Sequence, residues 1–433
     1  MQKAGAQHRA PAPKPESPIM TASLPNSRDT ALQDRARRVI PNGMWGHMAT
    51  RSIAPGYPQF FSRADGCRVW DADGNEYIDF MCAWGPNVLG YHHEAVDRAA
   101  LAQLRVVDSG NGPTETLVEL AEELTATLDH ADWCLFQKNG TDATTACITI
   151  ARAGTGRRKI IVARGAYHGA VPWCSPSVVG VTAEDRAHLI PFDWGDTTSL
   201  DAAVAQAGDD LAAIILTAFR HDVGRDQELP TTAFLQAARA HCDATGALLI
   251  CDDVRAGFRL DVRGSWARHG VKPDLAAYSK AIANGWPLAA IAGANRARAG
   301  AESIFTTGSF WYGAAAMAAG LATVRILRDT DALAQTEAMG NRLRKGLDEA
   351  ATRHGYRLRQ TGPVQMPMVL VDGDKDLAIG NALCLAALRH GVYLHPRHNM
   401  FLCAAHGPAE IDRAVEAVDR AFADIAAAGI QPA

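Results

Sequence analysis

The chain has 433 residues, with 43 Lys and Arg against 47 Asp and Glu, and its net charge of -4 gives no electrostatic reason to expect nucleic acid or an anionic membrane as partner. Hydrophobic residues make up 48% and charged residues 21%, as in ordinary globular proteins, and no apolar run approaches the ~20 residues that cross a bilayer. A chain of this length suits two lobes rather than one core.

Residues 1–25 are rich in Ala, Pro, Lys and Gln and lack the apolar stretch of a secretory signal, so they read as a disordered tail, with Met20 as an alternative start. The nine Cys are an odd number without paired or metal-ligand spacing; they read as free thiols of a cytoplasmic protein, and no metal is expected. A helix is predicted over 28–38, and a hairpin over 68–80 with Asp73-Gly74-Asn75 supplying the turn. From about Thr114 helix and strand patterns alternate: an amphipathic helix over 117–128, then apolar runs at 159–163, 212–216 and 247–251, of the kind that parallel strands covered on both faces show. A helix over 232–245 joins two of these runs into a βαβ unit. After about Leu333 a long helix, short strands such as 368–371 and a final helix over 408–427 indicate a second lobe. The fold class is therefore α/β, with a mostly parallel large domain over 85–325 and a smaller α+β lobe built from both ends of the chain, 26–84 and 326–433.

Three features in that frame carry chemistry. Lys280, between Tyr278 and the apolar run 286–292, is placed where burial lowers an amine's pKa and makes it a nucleophile. Asp252 ends an apolar strand, at the edge where open α/β sheets bind ligands, with Val254 two residues on. Asn139-Gly140-Thr141 opens a helix, where a capping residue, a glycine and free N–H groups suit a phosphate. A lysine, a strand-end carboxylate and a phosphate-binding helix start are what pyridoxal 5'-phosphate requires: a Schiff-base amine, a partner for the pyridine nitrogen and an anion cradle. Val254 would pack on the ring, and Tyr167 in the loop Gly165-Ala166-Tyr167-His168-Gly169 would stack on it, with His168 beside it. Neither a P-loop nor a dinucleotide fingerprint is present, which disfavours a dehydrogenase.

These runs, together with Trp84-Gly85-Pro86-Asn87-Val88-Leu89-Gly90, Gly112-Pro113-Thr114-Glu115-Thr116, Gly257-Phe258-Arg259 and Ser279-Lys280, resemble the class III aminotransferases of the type I pyridoxal-phosphate fold, in the branch containing glutamate-1-semialdehyde aminomutase. Asn139-Gly140-Thr141-Asp142 and His398-Asn399-Met400-Phe401-Leu402 are similar to bacterial enzymes that deaminate hydrolysed fumonisin, a long-chain amino polyol. The resemblance implies a homodimer with shared active sites, in which Ser309 or Thr307 contacts the neighbour's phosphate. It also implies a role for Arg397, at the position where β-amino-acid relatives hold a keto-acid carboxylate. The chain departs from the family at Thr217-Ala218, where Glu-Pro is usual, and at Asp253, where Glu is usual. It also lacks the substrate-carboxylate Arg expected at 45–49 and the Glu expected at 395–402. A pocket at Trp45, His47, Trp84 and Trp173 would then take an amine without a carboxylate.

The expected activity is transfer of an amino group from a bulky or long-chain primary amine to an α-keto acid such as pyruvate, in ping-pong fashion via pyridoxamine phosphate, with Lys280 as the catalytic base. The alternatives are an aminomutase, a β-amino-acid aminotransferase and a non-catalytic cofactor-binding protein.

Overall fold

The computed structural model describes residues 27–54 and 56–431. The tail expected at 1–25 lies outside the described residues.

A seven-stranded sheet forms the centre, in the spatial order Trp133–Gln137, Ala289–Gly293, Leu275–Tyr278, Leu248–Asp252, Leu211–Thr217, Lys159–Ala163 and Leu189–Phe192. Every residue of Leu211–Thr217 and of Leu248–Asp252 is buried, because helices cover both faces. Thr232–Thr245 is one of these helices; Thr231 caps its start by accepting from the Phe234 N–H, and Gly246, at φ +76°, ends it. The expected strands at 212–216 and 247–251 fall within a residue of those observed. Ala289–Gly293 is antiparallel to both of its neighbours, so Trp133–Gln137 runs in the same direction as Leu275–Tyr278. Leu248–Asp252 is parallel to Leu275–Tyr278, with Asp252 opposite Ala277. Gln137, Asp252 and Tyr278 therefore all end at one edge of the sheet, and the segments that follow them meet there.

A second hydrophobic cluster joins the two ends of the chain. Tyr77 and Phe80 share it with Leu347, Phe401 and Phe422. The antiparallel pair Arg68–Asp71 and Glu76–Asp79 turns through Gly74 at φ +89°, while the Asp71 carboxylate accepts from the N–H groups of Asp73 and Asn75. Val392–Tyr393 adds a parallel strand to Glu76–Asp79 from the far end of the chain. Helices Ala332–Arg353 and Pro408–Ala427 pack against each other beside it. The nine cysteines are all free thiols. Two of them, Cys82 and Cys403, meet His406 with sulfur and nitrogen atoms within 4.8 Å of one another.

One buried side chain ties the sheet to this second cluster. Arg259, 1% exposed, donates from Nε and Nη2 to the Gly85 carbonyl (3.1 and 2.6 Å) and from Nη1 to the Leu402 carbonyl (2.5 Å). Its guanidinium also lies over the Phe401 ring, 5.1 Å from the centroid. Gly85 sits at φ +103°, and a Cβ there would come within 2.8 Å of Phe401. Arg259→Met keeps most of the volume but leaves both carbonyls without their donor, so the expected loss is about 3 kcal/mol in denaturant unfolding. A loss below about 0.5 kcal/mol would show that water replaces these bonds.

Candidate active site

The shared sheet edge brings the lysine, the carboxylate and the helix start together. Lys280 begins a short 3₁₀ turn two residues beyond its strand, at φ +49°, and its Nζ donates to the Trp84 carbonyl at 3.1 Å. That acceptor belongs to a strained turn: Cys82, Ala83 and Trp84 have φ values of +46°, +55° and +68°, all left-handed and none of them glycine. The turn is held at both ends. The Asp79 carboxylate accepts from the N–H groups of Met81 and Cys82, and Arg259 grips the Gly85 carbonyl. Burial, and then the charges of Arg255 and Arg259, bring the Lys280 amine down to about 8, partly opposed by Asp252.

Asp252 is buried, and its Oδ2 lies 2.7 Å from His168 Nδ1. The His168 carbonyl accepts from Thr144 Oγ1 at 2.7 Å, so the loop is fastened to the helix Gly140–Thr155. Asn139 caps that helix, accepting from the Asp142 N–H at 3.1 Å. A Cβ on Gly140 would lie 2.6 Å from a Val254 methyl, and one on Gly169 would lie 2.6 Å from Thr141 Oγ1. These two glycines are small because the helix start, Val254 and the His168 loop are pressed against one another. Tyr167 is 47% exposed at the end of the same loop. Trp173 stacks on His168 (6.1 Å between centroids) and donates to Thr145 Oγ1.

Trp84 belongs to a different wall. His47 packs edge-on against it at 4.2 Å, His398 at 5.1 Å and His395 at 5.4 Å. Trp84 and Trp173 thus have different aromatic partners, and Trp45 is 70% exposed. The wall around Trp84 is aromatic but consists largely of imidazoles, whereas the sequence reading expected an apolar pocket. Arg397 is exposed at the rim, and Thr307 and Ser309 are exposed on a separate segment.

Sequence reasoning missed Arg255. Its Nη1 donates to Asn399 Oδ1 at 2.5 Å, and no carboxylate lies within ion-pairing distance of it among the described residues. Burial pushes this guanidinium down to about 10. The signal available in the sequence was an arginine three positions after a strand-end aspartate, a spacing that places both on one side of a turn.

These residues suit a phosphorylated pyridine aldehyde. The first N–H groups of the helix Gly140–Thr155 precede any intrahelical acceptor and face the edge on which Lys280 stands. His168 Nδ1 holds the Asp252 carboxylate, which retains acceptor capacity for a pyridinium N–H. Lys280 supplies an amine that is partly neutral near physiological pH.

The comparisons agree with this site. The model of the aminotransferase class-III family matches residues 52–406. An aminopentol aminotransferase of Sphingopyxis macrogoltabida is 49% identical, over 92% of this chain and 94% of that protein. A glutamate-1-semialdehyde 2,1-aminomutase of Desulforamulus reducens is 32% identical, over 90% of this chain and 96% of its own length. The solved structure of the Sphingopyxis sp. MTA144 FumI protein, in its PLP internal aldimine form, superposes with a TM-score of 0.92 at 48% identity, over 94% of this chain and 99% of that one. Fold and site together define a type I pyridoxal-phosphate enzyme. The chain belongs to the class III aminotransferases, and its cofactor is pyridoxal 5'-phosphate.

Because Arg255 is a positive neighbour of Lys280, Arg255→Met should raise the amine's pKa above its present value of about 8. Only the neutral amine attacks a carbonyl, so the apo-protein would need a more alkaline medium to capture pyridoxal phosphate. The rate at which visible absorption grows after cofactor addition should shift its pH midpoint upward by about one unit. A midpoint that stays in place or moves to lower pH would show that Arg255 does not act on Lys280 through its charge.

Proposed function

We propose that this aminotransferase moves an amino group from a bulky or long-chain primary amine to an α-keto acid such as pyruvate, in two half-reactions of ping-pong type. The observation that carries the reading is the combination of the Lys280–Asp252–His168 site with a wall of imidazoles and an indole at Trp84. The 49% identical relative supports it, since its name describes an amine bearing several hydroxyls.

Bound pyridoxal phosphate supplies an electrophilic carbon and an electron-withdrawing ring. The remaining steps fall to the chain. The helix start at Asn139, Gly140 and Thr141 would hold the phosphate, and Asp252, oriented by His168, would pair with the protonated pyridine nitrogen. Val254 would support one ring face, and Tyr167 would stack on the ring from its loop. Lys280 Nζ, once free, would carry the proton from the amine-bearing carbon to the cofactor's aldehyde carbon in the first half-reaction and in the opposite direction in the second. The Trp84 carbonyl keeps that amine aimed into the site.

The α-keto acid needs a cation, and Arg397 at the rim is the proposed one, free to turn in for a carboxylate and out for an amine. Residues 85–325 form the cofactor-binding domain in this reading, and 26–84 with 326–433 form the lobe that carries Arg397. Phe305, 95% exposed, and Phe310, 69% exposed, flank Thr307 and Ser309. Two exposed phenylalanines beside two hydroxyls suit a homodimer in which that segment completes the neighbour's phosphate site. A monomer in sedimentation at micromolar concentration would remove this part of the proposal. No helix is long and apolar enough to cross a membrane among the described residues, and nine free thiols suit a reducing cytoplasm.

The purified holoenzyme should be yellow, lose its visible band on addition of a long-chain 2-aminoalkane and recover it with pyruvate, and Lys280→Ala should reduce turnover at least about 10³-fold. A band that ignores the aminoalkane but responds to amino acids would overturn the substrate assignment. Arg397→Ala should raise the KM for pyruvate about tenfold or more, with the amine half-reaction little changed. An unchanged KM would take the keto acid away from Arg397.

A further inference from the structure

His395 and His398 stand side by side on the Trp84 wall, 5.9 Å between ring centroids and with their planes at 73°. Their surroundings fix which nitrogen of each carries the proton. His395 Nδ1 accepts from two backbone donors, the N–H groups of Arg397 (3.3 Å) and His398 (3.0 Å). A backbone N–H can only donate, so this Nδ1 is bare and the proton of the neutral ring sits on Nε2. His398 Nδ1 lies 2.7 Å from the Asn399 carbonyl. A carbonyl can only accept, so this Nδ1 carries the proton and Nε2 is bare. The pair therefore presents one N–H donor and one lone-pair acceptor. Among the described residues neither Nε2 has a hydrogen-bond partner, and neither is among the polar atoms sealed from water. Both rings stay neutral. Burial, then the charges of Arg397 and His47, hold His395 down to about 4; burial, then Arg255, hold His398 well below the ordinary histidine value.

We propose that His395 and His398 are specificity-determining residues that read a hydroxyl on the amine substrate, His395 Nε2–H donating to its oxygen and His398 Nε2 accepting its hydrogen. This rests on the amine reading above. A carboxylate only accepts and offers nothing to His398; an ammonium only donates and offers nothing to His395. A hydroxyl does both through one oxygen. The wall fixes where that hydroxyl lies. Trp84 touches both rings, and its own carbonyl is 3.1 Å from Lys280 Nζ, so the hydroxyl sits on a carbon close to the amine-bearing one. A substrate without it leaves two oriented polar atoms unpaired, which is how a polar site rejects an apolar analogue.

The test compares 2-aminododecane with 2-aminododecan-3-ol on the holoenzyme, each with pyruvate. The wild type should favour the amino alcohol in kcat/KM by about tenfold or more. His398→Asn keeps a side-chain N–H for the Asn399 carbonyl but removes the atom at the Nε2 position, so the preference should fall towards one. His398→Gln restores an acceptor near that position and should keep several-fold of the preference. His395→Asn keeps an acceptor for the two backbone N–H groups and should also lower the ratio. The product 3-hydroxydodecan-2-one should bind the resting wild type more tightly than dodecan-2-one, and this difference should vanish in His398→Asn. Equal kcat/KM for both amines in the wild type, or a ratio that His398→Asn and His398→Gln leave equal, would overturn the hydroxyl-reading pair while leaving the amine reading intact. If neither amine reacts and amino acids do, the amine reading itself fails and this inference falls with it.

Discussion

The site is organised around a buried excess of positive charge. Lys280, Arg255 and Arg259 lie close enough to depress the lysine, while the partnered carboxylate of Asp252 opposes them. A buried cation is costly unless paired, and Arg259 offsets its own cost through three bonds to carbonyls. Arg255 has one bond, to a neutral amide. The same charges keep the surrounding imidazoles from protonating: His221 and His398 are both held down by burial and then by Arg255, and His47 by burial and then by Lys280. An anionic phosphate is a natural complement to such a site. Acidic side chains would neutralise it and raise the lysine again. Burial first, and then Arg255 and Arg259 with Asp252 opposing them, keep the amine usable near physiological pH.

Much of this was legible in the sequence, and for identifiable reasons. Strands buried on both faces leave continuous apolar runs, so 159–163, 212–216 and 247–251 stand out by composition alone. A residue at the C-terminal end of such a run lies at the ligand-binding edge, which is why Asp252 stood out, while Lys280 stood out through its apolar flanks at Tyr278 and 286–292. Asn139 was readable because capping is local chemistry, settled within three residues. Gly140 was expected to admit a close approach, but its neighbour, Val254, belongs to a strand order that the sequence does not state.

What the sequence did not disclose depends on contacts between distant segments. Nothing in the spacing of the cysteines brings Cys82 to Cys403 and His406. Arg255 looked like any arginine in a loop; its significance comes from lying between Asn399 and the lysine. The three tryptophans looked equivalent as apolar side chains. The fold gives Trp173 to the Asp252–His168 side and Trp84 to the imidazole wall, and it leaves Trp45 exposed. The left-handed run Cys82–Ala83–Trp84 was also hidden, because none of the three is a residue that favours positive φ.

That strained turn is where the hydrophobic cluster formed by the two ends of the chain meets the sheet. Positive φ at three successive non-glycine residues costs of the order of 1 kcal/mol each and persists only where surrounding contacts over-determine it. Asp79, from the terminal hairpin, fixes the start of the turn, and Arg259, from the sheet side, fixes its end. Between them the Trp84 carbonyl is aimed at Lys280 while the Trp84 ring orders His47, His395 and His398. The His395–His398 segment is itself contributed by the C-terminal part of the chain. A shift of the Trp84 turn would therefore move together the carbonyl bonded to Lys280 Nζ and the ring against which the three imidazoles pack. In the proposed reaction, lysine positioning and substrate fit would be coupled through this one residue, Trp84, by its backbone carbonyl on one side and its indole on the other.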